Sequence, residues 1–286
     1  MNPLAGLMQA LSWLPLSWLR ALGWLLGQVL FQVSERRGHV VSTNLALCWP
    51  ELPIEQQRGM AQRHFVLVAQ SLLDRAWLWH APERVLKQRL RCTGDLQQLQ
   101  DPSPLIMLAP HLVGLDAGGI ALTLLEQVNM ACVYVPLSDR HAQDWMMNGR
   151  NRSGRLLSIA RQAGPQPLLK ALREGKRLHF SPDMDFGTEG AVWSTFFGVQ
   201  AATLTSLPRI AKLGKARVCI VVTRLTPSGY ALEMGPLWEA FPSGDVLADT
   251  QRMNDQIEQA VRVAPEQYYW VHKRFKSRPA GEASVY

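Results

Sequence analysis

The fold is decided by LIMLAPHLVGLDAGG, residues 105–119. Its apolar start, residues 105–109, reads as a buried strand, and the glycines that follow let the backbone turn into a helix. At the strand exit stand His111 and Asp116, with only apolar and glycyl residues between them. A neutral imidazole beside a carboxylate is a general-base arrangement. The carboxylate fixes the tautomer and steadies the imidazolium that forms when the histidine takes a proton. A capping aspartate beside an incidental histidine would leave the same letters.

Downstream, strands and helices alternate. Residues 130–136 read as a strand, 142–147 as a short helix, 167–174 as a helix ending at Gly175, and 177–181 as a strand. A helix over 204–212 follows, then a Val- and Ile-rich strand over 216–225, its partner over 230–234 across a Pro-Ser-Gly turn, and a helix over 246–263. Apolar strands alternating with helices predict an α/β fold, with a mostly parallel central sheet covered by helices on both faces. Gly114, Gly118 and Gly119 fit neither the dinucleotide nor the Walker phosphate-loop spacing.

Upstream, residues 40–100 read as helical, with a long helix over 55–80 closed by Pro82, and Asp101-Pro-Ser-Pro is a breaker before the α/β part. Residues 3–34 carry a single charge, Arg20, among leucines and Trp13, Trp18 and Trp24. No cleavage site of a signal peptide is present. The segment 1–34 is therefore expected to be a membrane-anchoring hydrophobic segment, as one tilted span or as a broken interfacial helix pair split at Pro15 and Arg20. A buried helix of the body is the other possibility. Arg36 and Arg37 follow at once and place the body, residues 35–286, on the cytoplasmic side as a single α/β domain.

Charged residues make up 19% of the 286, and 30 Lys and Arg against 23 Asp and Glu leave a net charge of +7. That excess favours anionic partners without choosing among lipid headgroups, phosphorylated substrates, acidic proteins and nucleic acid. Cys48, Cys92, Cys132 and Cys219 are widely separated, which argues for buried thiols over a zinc site or a disulfide framework.

Three further clusters carry chemistry. Asn148-Gly-Arg-Asn-Arg-Ser-Gly-Arg155 sets Arg150, Arg152 and Arg155 around two glycines, a composition for anionic or carbonyl oxygen or simply for a solvated basic loop. Ser181-Pro-Asp-Met-Asp-Phe-Gly187 follows a strand, and its Asp183 and Asp185 could bind a metal, orient an arginine or cap a turn. Two carboxylates supply few ligands for a hard cation, so they are expected to orient groups, with turn capping suiting Asp185 better than Asp183. The block 267–278 interleaves cations with aromatics, which suits a nucleic acid strand or a membrane interface equally well.

Together these segments resemble the late acyltransferases of lipid A biosynthesis, the lauroyl and myristoyl transferases within the wider lysophospholipid acyltransferase superfamily. The resemblance is carried by His111-x4-Asp116, Gly149-Arg-Asn-Arg152, Pro182-Asp-Met-Asp-Phe-Gly187, Phe196-Phe-Gly with Ala201-Ala-Thr203, and the block from Pro265 to Pro279. Two positions depart from it: Pro110 stands where the superfamily usually has Asn, and Val135 where many relatives carry Arg.

The resemblance implies a lipid A precursor hydroxyl as acceptor and an acyl group on acyl carrier protein as donor. It also implies work at the cytoplasmic face of the inner membrane, in contact with its lipid, with no cofactor, no metal and no nucleic acid. His111, oriented by Asp116, would deprotonate the attacking hydroxyl, while an arginine of the 150–155 loop or a backbone N–H would hold the oxyanion. No Ser or Cys nucleophile is required, so direct transfer in a ternary complex is expected. Two other readings use the same letters: a membrane-associated glycosyltransferase binding metal through Asp183-Met-Asp185, and a non-catalytic membrane-binding protein.

Overall fold

A computed structural model describes residues 3–286. Met1 and Asn2, the start of the expected anchoring segment, lie outside the described residues. The chain opens with five helices: α1 (Pro3–Leu11), α2 (Leu16–Val33), α3 (Glu35–Cys48), α4 (Ile54–His80) and α5 (Glu83–Arg89). Strands and helices then alternate through β1 (Leu90–Gly94), β2 (Leu105–Leu108), α6 (Leu115–Leu124), β3 (Met130–Tyr134), α7 (Arg140–Arg150), β4 (Leu156–Ala160), α8 (Gln166–Arg173) and β5 (Arg177–Phe180). The hairpin β6 (Ala191–Phe196) and β7 (Val199–Leu204), α9 (Ser206–Gly214), β8 (Arg217–Thr226), β9 (Gly229–Leu237) and α10 (Val246–Val263) complete it.

Seven strands form one sheet in the order β1-β9-β8-β2-β5-β3-β4, parallel throughout except between β8 and β9. Strands β2 and β5 are buried along their whole length, as interior strands of a sheet covered on both faces must be. Alternation along β2 separates two cores. Ile106 and Leu108 join Val41 and Leu45 of α3, Leu168 of α8, Ile210 of α9 and Ile257 of α10. Leu105 and Met107 join Leu86 of α5, Ile120 of α6 and Leu19 of α2 on the other face. The helix α4, about 40 Å long at 1.5 Å per residue, reaches both cores, with Phe65 in the first and Trp77 in the second.

The N-terminal pair is fastened to α4 at close range. A Cβ on Gly27 would lie 2.4 Å from the Cα of Val66, so a side chain there would force the two helices apart. Two turns away, Arg20 Nη2 sits 3.0 Å from Asp74 Oδ2. Asp74 is fully buried and also accepts from the Tyr230 hydroxyl at 2.7 Å and from Trp77 Nε1 at 2.9 Å. The opposite side of the pair is open, with Trp13 85%, Trp18 65% and Val33 66% exposed. Among the described residues no helix is long and apolar enough to cross a membrane, so the tilted span is replaced by a broken pair divided at Pro15.

Two further expectations change. The helical reading of residues 40–100 ends early, because β1 pairs with β9 at the sheet edge. The block 267–278 is largely packed into the body and is not an open strip of cations and aromatics: Tyr268, Trp270, Arg274 and Phe275 are buried, while Tyr269 and Lys276 are exposed. Asn44 of α3 holds it by donating to the carbonyls of Trp270 at 2.7 Å and His272 at 2.9 Å. The Arg274 guanidinium donates to the Ala202 carbonyl and the Thr203 hydroxyl and lies over the Phe196 ring.

Candidate active site

Parallel strands deliver their following loops to one edge, and a cavity of about 680 Å³ lies there. His111 follows β2 and Ser181 and Pro182 follow β5, all three lining it. Met130 and Tyr134 of β3, Gly119 and Ile120 of α6 and Met146 of α7 line it. So do Ile159, Leu168, Phe180 and Ile210, which belong to the first core. At the rim, Phe186 carries the guanidinium of Arg161 over its ring at 4.2 Å, and Arg209 is exposed beside the cavity.

The carboxylate on His111 is Asp183. The His111 backbone N–H donates to Asp183 Oδ2 at 2.9 Å, and its ring Nδ1 lies 2.6 Å from Oδ1. A charged carboxylate only accepts, so Nδ1 carries the proton, and it is Nε2 that offers a lone pair in the neutral ring. Asp183 is 1% exposed. Burial opposes its charge, but the His111 imidazole and the two hydrogen bonds outweigh it and bring the carboxyl down to about 2.

Asp116, assigned to His111 from its spacing, faces elsewhere. It sits in the first turn of α6, where a negative charge is favoured by the helix dipole, and its carboxylate is gripped from two sides. Arg75 of α4 reaches Oδ2 through Nε at 3.0 Å and Nη2 at 2.9 Å. Arg150, at the end of α7, reaches Oδ1 through Nε and Nη2, both at 2.8 Å. Burial again opposes the charge, and Arg150 and Arg75 together hold the carboxyl at about 2. Two guanidinium groups on one carboxylate leave one net positive charge, and all three side chains line the cavity.

The other sequence candidates separate. Arg152 caps the end of α4, donating to the carbonyls of Leu78 at 2.6 Å and Ala81 at 2.7 Å, and does not line the cavity. Arg155 offers its carbonyl to the Met130 N–H at the head of β3, and its side chain is also outside the cavity lining. Asp185 accepts from the Gly187 N–H at 2.8 Å and from the backbone and hydroxyl of Ser277 at 2.7 and 2.9 Å, so it closes a turn and fastens the C-terminal block. Asp183 and Asp185 thus spend their oxygens on different partners. Among the described residues no three His, Cys, Asp or Glu side chains converge as metal ligands.

Sequence spacing did not single out Arg75 or His179. Arg75 stands 41 residues from the carboxylate it holds, a distance that no local motif spans. His179 is buried within a strand and lines the cavity.

Residues 4–277 match the family model of the bacterial lipid A biosynthesis acyltransferases. The chain belongs to that family. It is 31% identical to the lipid A biosynthesis lauroyltransferase of Escherichia coli K12, over 96% of this chain and 90% of the relative. It is 30% identical to the palmitoleoyltransferase of that organism over the same shares, and 27% identical to its myristoyltransferase over 88% and 79%. The protein is accordingly an acyltransferase of lipid A synthesis.

Proposed function

We propose that the chain moves a fatty acyl group from acyl carrier protein to a hydroxyl of a lipid A precursor, with His111 as general base held by Asp183. The observation that carries this reading is the two-point grip of Asp183 on His111, which leaves Nε2 free at an apolar cavity. The acceptor hydroxyl gives its proton to Nε2 as its oxygen bonds to the thioester carbonyl carbon. The tetrahedral oxyanion is stabilised by the positive charge that Arg75 and Arg150 retain beside Asp116. Collapse breaks the carbon–sulfur bond, and the departing thiolate takes the proton from His111. The products are the ester and the free carrier thiol, with no covalent enzyme intermediate.

The rim arginines, Arg161 and Arg209, suit an acidic carrier protein or a phosphate. The exposed apolar side of α1 and α2, followed by Arg36 and Arg37, suits membrane lipid, seating the enzyme on the cytoplasmic face of the inner membrane. The glycosyltransferase reading needs Asp183 and Asp185 to converge on one ion, and their oxygens are engaged apart. The test is purified protein with acyl-loaded carrier and a detergent-dispersed lipid A precursor, read by mass spectrometry. Gain of one acyl mass and release of carrier thiol are expected. A wild-type enzyme that transfers no acyl group from any carrier-bound donor would overturn the proposal.

A further inference from the structure

Strand β5 places His179 opposite Met107 of β2 and Cys132 of β3. The residue is 7% exposed and its ring forms part of the cavity wall. Its Nε2 is enclosed without a hydrogen-bond partner, and no described residue bonds to Nδ1 either. Burial, and after it the charge of Arg150, pushes the imidazole down to about 4, so it stands neutral with one N–H and one lone pair unused. The neighbouring carboxylate does not supply a partner, since each oxygen of Asp116 already takes two guanidinium contacts. Most buried polar groups in folded proteins are paired, and His179 differs from the other unpaired ones away from the cavity in standing in the cavity wall, so its ring is directed at a ligand.

We propose that His179 is a positioning residue whose ring hydrogen-bonds an uncharged oxygen, hydroxyl or carbonyl, of a bound acyl chain. An anion would go to Arg75 and Arg150, which outmatch a neutral ring for negative charge. The oxygen can come from the acceptor or from the acyl donor, and separate kinetics on the two substrates distinguish them. The inference rests on the acyl-transfer reading. Wild-type transfer is therefore measured first, and its absence would defeat that reading and leave His179 out of account.

With transfer established, His179→Phe is compared with His179→Gln. Phe removes an unpaired buried polar group, so its melting temperature is expected to equal or exceed that of the wild type, while the KM for one substrate rises about tenfold, the loss of one hydrogen bond. Gln restores a donor and an acceptor, so that KM is expected to return to within about threefold of the wild type. A His179→Phe protein with both KM values unchanged overturns the proposal. So does one whose loss falls equally on both substrates, or one that melts lower with kcat alone reduced. If His179→Phe does not fold, His179→Met takes its place with the same expected rise, and equal KM values for the Met and Gln variants overturn the assignment.

Discussion

At the scale of single residues the two aspartates near His111 do different work. Asp183 holds the imidazole and Asp116 holds the arginines. Substituting His111→Ala or Asp183→Asn is expected to lower kcat by orders of magnitude, with the double variant little worse than the weaker single, because the pair acts as one unit. Steady-state kinetics on the three proteins checks this, and losses that multiply would count against it. Asp116→Asn leaves Arg75 and Arg150 facing each other without a counter-charge. A stability loss of about 3 kcal/mol in urea unfolding is expected, with the His111–Asp183 contact intact. Acid titration separates the carboxylates from the rest. Both sit at about 2 in the fold, against about 3.9 for an unfolded aspartate. Their stabilisation is complete above the unfolded value and is lost as pH falls through the folded one, so unfolding midpoints are expected to drop between about pH 4 and pH 2. Asp116→Asn should flatten that drop. His111 and the family were legible in the letters, but its partner was not, because Asp183 lies 72 residues further on and reaches it only once β2 and β5 are neighbours.

At the scale of elements, five strands were read from sequence, while β1, β4 and the β6–β7 hairpin were not. β4 escaped because it is an edge strand with only Ile159 buried, and β1 because its burial is equally sparse. Helix α7 runs on through Arg150, past the expected end at residue 147. That extension explains the division of the arginines: Arg150, inside the helix, faces Asp116, and Arg152, two residues later in the turn, faces the end of α4. The N-terminal pair shows a similar limit. Its apolar composition was plain, yet its grip on α4 depends on Arg20 finding Asp74, 54 positions away in the chain. Arg20→Met leaves a buried carboxylate without its cation and is expected to cost about 3 kcal/mol in thermal or urea unfolding. Removing residues 1–33 is expected to yield a chain with reduced secondary structure by circular dichroism, where a detachable anchor would leave a soluble, active body.

At the scale of the whole molecule, apolar exposure and positive charge divide the surface. Trp13, Trp18, Leu25 and Val29 form an open apolar side on a chain of net charge +7. Replacing Trp13 and Trp18 by Ser is expected to weaken co-sedimentation with anionic vesicles about tenfold or more while leaving the melting temperature within a degree or two. Unchanged vesicle binding would assign that side another partner.

Asp74 and Arg75 are neighbours in α4. The first is held by Arg20 of the N-terminal pair and the second grips Asp116 at the cavity. A single peptide unit therefore joins the N-terminal pair, with its exposed apolar side, to the arginine proposed to steady the reacting carbonyl. If that pair rests on lipid as proposed, a rigid helix and not a tether would set the height of the cavity above the bilayer, and with it the depth from which a lipid presents its hydroxyl. On that arrangement, acceptors whose hydroxyl sits at another depth are expected to be refused for reasons of reach, however well their chemistry fits.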